Sequence, residues 1–133
     1  MAMFQLVYVS SVASGRTIDV REILAVSRRN NRIAGLTGML YADSRRFLQV
    51  LEGDERDVMA TFERIKADPR HRAVVVLSRR EIAEREFGAW EMAHAEPGHD
   101  ADALLARVDA LASGASAAVR ATFAGFVEAR RAA

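Results

Sequence analysis

TGMLYADSRRFLQVL, residues 37–51, is the stretch on which the fold turns. Two apolar runs, 37–42 and 46–51, flank Asp43, Ser44 and Arg45, so the segment reads as a β-hairpin with a polar turn. Upstream, Val20, Ile23, Leu24 and Ser27 recur at helical spacing behind Asp19, and Asp19 with Glu22 suits a capping box. Gly35 and Gly38 bracket the exit from that helix. Further upstream, FQLVYV (4–9) is a buried strand, joined to the helix by a loop from Ser10 to Thr17. Downstream, Glu52-Gly53-Asp54 leads into a helix at 55–67 with the stripe Val58, Phe62 and Ile65. Asp68-Pro69 stops it, because a residue before proline is pushed out of the helical region. A strand at 72–78 (RAVVVLS) and a last one at 87–94 (FGAWEMAH) complete the pattern.

The order is βαββαββ. Two βα units split by a hairpin predict a ferredoxin-like α+β fold: a mixed sheet, both helices on one face, and the first and third strands side by side. From Pro97-Gly98 the composition shifts, with 13 of the last 37 residues alanine, which marks a separate unit. The chain therefore divides into a domain at 1–96 and a helical extension at 97–133, split by Gly114 into helices at 100–112 and 116–131. Alanine-rich helices bury little surface by themselves. Their stripes, Leu104, Leu105, Val108, Leu111 and Val119, Phe123, Phe126, Val127, need a surface to lie on, and the bare sheet face is the candidate.

Half of the 133 residues are hydrophobic, enough to offset the entropy of ordering, which excludes disorder. A net charge of +1 argues against nucleic-acid or membrane binding as the main activity. The absence of cysteine excludes disulfides, thiolate metal sites and thiol nucleophiles. No ligand set repeats at metal spacing, so no metal is expected. The run at 4–9 is too short to span a membrane and lacks a signal-peptide flank, so a cytoplasmic location is expected.

Polar residues break the apolar pattern at a few inward positions. Tyr8 shares a strand face with Phe4 and Leu6, and Gln49 lies between Phe47 and Leu51. The first helix continues its buried stripe as Ser27 and Asn31, with Asn30 beside them. Each buried amide left unpaired would cost ~1–3 kcal/mol. A flat heterocycle with alternating donors and acceptors would partner them. Each also has a plainer reading: Tyr8 as a core residue bonded to a backbone carbonyl, Gln49 paired with strand backbone, Asn30-Asn31 as a helix C-cap. Three readings remain open on the residues alone: a polar ligand pocket between the helices, a ferredoxin-like enzyme acting on a phosphate or acyl substrate, and a structural module. The Ser10–Arg16 loop, with a single glycine, offers the enzyme no phosphate cradle.

The blocks LVYVSS (6–11), SRRNNRIAGLTGMLYADSRRFLQVLEG (27–53), DPRH (68–71) and FGAWEM (87–92) resemble the BLUF domain, a flavin-binding blue-light sensor, with every block in order over about residues 3–95. The layout is similar to that of the short single-domain members, which carry a helical extension and no catalytic domain. One departure is visible: the spacing from Tyr8 to Asn31 is a residue shorter than the family's, in the loop after the first strand.

The resemblance implies FAD as cofactor, with FMN or riboflavin able to substitute, and a sensor without enzymatic turnover. Tyr8 would donate an electron to the photoexcited ring, and Gln49 would rearrange its hydrogen bonds. Asn31 would hold the ring's carbonyl edge, with Asn30 and Ser27 beside it, while Ile23, Leu24 and Ile65 pack on its faces. Arg64, Asp68, Arg70 and His71 match positions near the ribityl, phosphate or dimethylbenzene end. Trp90 and Met92 match the switching strand, which would pass the signal to the C-terminal helices and so to a downstream signalling protein. Apart from the resemblance, the stripes Leu104/Leu111 and Phe123/Phe126, if exposed, are the candidate self-association or partner surface, so a homodimer or larger assembly is expected.

Overall fold

Met3–Val12 form strand β1, which pairs antiparallel with β3 (Arg46–Asp54) on one side and β4 (His71–Ile82) on the other. β3 also pairs antiparallel with β2 (Thr37–Ala42), and the two-residue β5 (Ala93–His94) runs parallel to β2. The order β4-β1-β3-β2-β5 is the expected mixed ferredoxin-like sheet, with β1 and β3 adjacent. The computed structural model describes residues 3–13, 19–42, 45–86, 93–94, 99–113 and 116–132. The Asp43-Ser44 turn, most of the loop before the first helix, Trp90 and Met92 on the expected last strand, Pro97-Gly98 and Gly114 lie outside the described residues.

Helix α1 (Val20–Ala34) starts where Asp19 accepts hydrogen bonds from the backbone N–H groups of Arg21 and Glu22. It ends at Gly35 (φ 70°), whose N–H donates to Arg32 O while Leu36 N–H donates to Asn31 O. That pair of bonds is a Schellman closure. Asn30 and Asn31 are thus inside the helix, and the C-cap reading of their side chains falls away. Asp54 caps helix α2 (Glu55–Ala67) through Arg56 N–H, and Asp68 ends it.

The alternation of β1 and β3 builds a core on each sheet face. On one face Phe4, Leu6, Tyr8, Phe47 and Leu51 meet Leu24 of α1 and Val58 and Phe62 of α2. On the other, Val7, Val9, Leu48 and Val50 lie under Leu104, Leu105 and Val108 of helix α3 (His99–Ala112) and Phe123 and Phe126 of helix α4 (Ala117–Ala132). The helices cover the second face, as their stripes require. The expected self-association surface is not there: Leu104, Phe123 and Phe126 are buried and Leu111 packs against the same core.

The strands run longer than the apolar runs suggest. Val12 N–H donates to Arg45 O and Ala13 N–H to Arg70 O, carrying β1 past its two serines. Glu52 and Gly53 belong to β3, not to a loop, and Glu52 is fully buried. In β4, Ala73 takes a left-handed φ of 52° where two residues stand opposite the single Ser10, a β-bulge.

At Gly38 any side chain would collide: a Cβ would sit 1.8 Å from the Val50 carbonyl oxygen of the neighbouring strand. Around Gly35 nothing lies within 4 Å, so a substitution there meets only the left-handed backbone. Gly38→Ala should therefore destabilise the fold by about 1–3 kcal/mol or more through β2–β3 displacement. Gly35→Ala should cost only about 1–2 kcal/mol. Urea unfolding of the two variants checks the order.

Candidate functional site

The register of β1 against β3 sets Tyr8 directly opposite Gln49 on the face below α1 and α2. Both side chains are buried, and the Tyr8 hydroxyl donates a hydrogen bond to Gln49 Oε1. Burial, with a smaller contribution from the Asp68 carboxylate, raises the Tyr8 pKa far above that of a free phenol, so the hydroxyl keeps its proton. The Phe62 ring lies 5.4 Å from the Tyr8 ring, centroid to centroid, and fixes its place.

Over this pair lies a cavity between the two helices. Tyr8, Leu40, Phe47 and Gln49 form its floor. Ile23, Val26, Ser27, Asn30 and Asn31 line it from α1, one helical face read at every third or fourth residue. Thr61, Arg64 and Ile65 line it from α2, and Asp68, Arg70 and His71 close one end. Of the residues expected from sequence, Leu24 alone among those described is not on the cavity wall; it is buried in the core below. The sequence reading missed Val26, Leu40, Phe47 and Thr61. Phe47 shares the strand face of Gln49 and Thr61 lies one turn before Ile65, so the periodicity for both was present.

The closed end is built by the turn after α2. Asp68 accepts from Arg70 N–H at 2.9 Å and, through both carboxylate oxygens, from the Arg70 guanidinium at 2.7–3.1 Å. That bidentate pairing holds the Asp68 carboxyl below its ordinary range. His71 Nδ1 lies 2.7 Å from Ser10 Oγ, and its ring packs 4.4 Å from that of Phe47. Burial lowers the His71 pKa, only partly offset by Asp68. Arg64 reaches Thr61 Oγ1 at 3.3 Å.

Among the described residues no buried side-chain nitrogen or oxygen lacks a partner, so no orphaned amide demands a ligand. The cavity lining has its own chemistry. Ile23 and Ile65 supply apolar contact from facing helices, Asn31 and Gln49 supply amide groups, and Arg64 adds a positive charge beside the paired Asp68 and Arg70. That set fits a planar, polar-edged ring bearing an anionic tail. Among the described residues no three His, Asp or Glu side chains converge on a metal position. Nor is any helix among them long and apolar enough to cross a membrane.

The fold and the site together are those of a ferredoxin-like α+β domain with a partly polar cavity between α1 and α2. The chain belongs to the BLUF family, sensors of blue-light using FAD, whose sequence profile matches residues 3–93. It is 38% identical over 73 residues to a photoactivated adenylate cyclase subunit beta-like protein of Euglena gracilis, covering 55% of this chain and 8% of that one. The chain thus spans less than a tenth of that curated relative. Among solved structures, BlrB, described as a BLUF protein in its dark state, is 31% identical with a TM-score of 0.65, covering 70% of this chain and 71% of that one. Klebsiella pneumoniae BlrP1 with FMN and cyclic diGMP is 32% identical with a TM-score of 0.69, covering 82% and 30%. FAD is the cofactor that defines the family.

The two depressed pKa values set two acid windows. His71, whose ordinary value is 6.5, takes up a proton more readily when unfolded, so its contribution is intact above about 6.5 and is lost as the pH falls through its lowered value. Asp68 contributes above its ordinary 3.8 and loses that contribution as the pH falls through its own lowered value. Melting temperature should therefore begin to fall below about pH 6.5. His71→Gln, which does not titrate, should remove that first decline and leave the second. Thermal melts of both proteins across this range decide it.

Proposed function

We propose that this chain is a blue-light receptor that binds flavin non-covalently, uses Tyr8 and Gln49 as its switch, and passes the signal to α3 and α4. The observation that carries the reading is the buried Tyr8–Gln49 hydrogen bond on the floor of the cavity between α1 and α2. The flavin supplies blue-light absorption and, once excited, accepts an electron. Tyr8, protonated and held against Gln49, is the donor. Its phenolic proton leaves toward Oε1, the atom it already bonds, and the return of electron and proton restores the phenol without net turnover.

Gln49 suits a switch because its carboxamide ends in a donor on one side and an acceptor on the other. Tyr8 can donate to Oε1 or accept from Nε2. Reorienting the amide therefore leaves Tyr8 bonded while exchanging the group offered to the ligand. Asn31 would hold the ring's polar edge, with Ser27 and Asn30 beside it, and Ile23 and Ile65 would pack on its faces. Arg64, Asp68, Arg70 and His71 would meet the ribityl, phosphate or dimethylbenzene end. The adenine adds no contact that these residues require, so FMN or riboflavin serves in place of FAD.

The response leaves by the far face of the sheet. Gln49 lies on β3 between Leu48 and Val50, which belong to the core under α3 and α4. A change at Gln49 that shifts β3 is felt there, provided that helix docking differs in free energy between the two states. The helix stripes are used in that docking and do not supply a dimer surface. A downstream signalling protein would read the exposed sides of these helices.

The purified protein should be yellow and show a reversible red shift under blue light. A colourless preparation that takes up no added flavin overturns the reading. Gln49→Leu and Tyr8→Phe should keep the flavin and lose the normal shift, because leucine has no hydrogen-bonding group and phenylalanine no phenolic proton. Asn31→Ala should instead lower the flavin-to-protein ratio, read from absorbance.

A further inference from the structure

On the sheet face opposite the cavity, a row of polar side chains crosses four strands. Arg80 of β4 stands opposite Gln5 of β1, Gln5 opposite Glu52 of β3, and Glu52 opposite Thr37 of β2. Gln5 and Glu52 are wholly buried. Gln5 Nε2 donates to Glu52 Oε2 at 2.8 Å, and Arg80 Nε donates to Gln5 Oε1 at 3.1 Å.

The segment after β4 lies across this row. Arg85 donates to Thr37 Oγ1 at 2.7 Å, to Glu52 O at 3.0 Å and to Gly35 O at 2.8 Å. Glu86 N–H donates to Glu52 Oε2 at 3.0 Å, and its carboxylate pairs with Arg80. From α3, Arg107 donates to Glu86 O at 3.2 Å. Two acids, Glu52 and Glu86, thus meet three arginines, Arg80, Arg85 and Arg107, where the chain leaves the outermost strand β4.

We infer that Glu52 is a positioning residue for light output: its buried carboxylate, with Gln5 and Arg85, clasps residues 83–86 across the sheet and, through Arg107, ties α3 to β3. The inference rests on the proposed photosensor for its light-dependent half only; the clasp itself exists in the dark. Gln49 and Glu52 are three residues apart on one strand and face opposite sides, so β3 carries both the switch and the clasp. A movement of β3 at Gln49 acts on the clasp directly.

The test is hydrogen exchange of residues 83–86 and 99–112 in the flavin-loaded protein, dark and illuminated, for the parent, Glu52→Gln and Arg85→Ala. Arg85 is only half-buried, so its variant keeps the core intact if Glu52→Gln fails to fold. Both variants should retain the parent's absorption and red shift. Each should raise dark-state exchange in these segments about tenfold and lose the light-dependent difference in α3. Arg46→Ala, which removes a contact to Gly125 O of α4, serves as the control and should keep that difference. Unchanged dark-state protection in Arg85→Ala overturns the clasp. A parent that shifts its spectrum without any light-dependent exchange in these segments overturns its role in output. A parent with no red shift overturns the photosensor, and the dark-state comparison still decides the clasp.

Discussion

The antiparallel ladder between β1 and β3 is the constraint on which both faces of this protein depend. One register places Tyr8 opposite Gln49 on the cavity side and Gln5 opposite Glu52 on the other. A slip of β1 by a single residue would turn over its side chains, putting the phenol under α3 and α4 and the Gln5 amide beneath the cavity, each on the wrong side for its partner on β3. Gly38 plays its part in the neighbouring β2–β3 ladder, where β2 approaches Val50 so closely that only glycine fits. The helices then add depth over one pair and cover over the other.

Much of this was legible because the relevant signals are local. The hairpin at 37–51 shows itself by two apolar runs and a polar turn, and α1 by Asp19 and Gly35 at its ends. The cavity residues of α1 recur at helical spacing, so Ile23, Ser27, Asn30 and Asn31 fell on one wall without any knowledge of the sheet. Leu24 has that spacing too, but its position around the helix turns it to the core, a difference that a stripe does not resolve.

The Gln5–Glu52 row was hidden for a different reason. Glu52 precedes glycine and aspartate, a sequence that suggests a loop, and Gln5 is a single polar residue in an apolar strand. Their meaning depends on pairing across the sheet and on Arg80, Arg85 and Glu86, from 75 to 81 positions away from Gln5 where they contact it. No window along the chain contains such a relation. The fate of the tail stripes depended in the same way on long-range packing: apolar spacing shows that Phe123 and Phe126 must be covered, not by what.

The bulge at Ala73 has a bearing on solubility. β4 is the outermost strand of the sheet, and among the described residues one side of its backbone has no neighbouring strand. An open strand of twelve residues is a template on which another copy could pair. The left-handed alanine interrupts the even spacing of donors and acceptors and twists that edge, while the exposed Arg72 and Arg79 bring like charges to it. An incoming copy of the same strand would meet a broken ladder and two guanidinium groups, which discourages growth into stacked sheets.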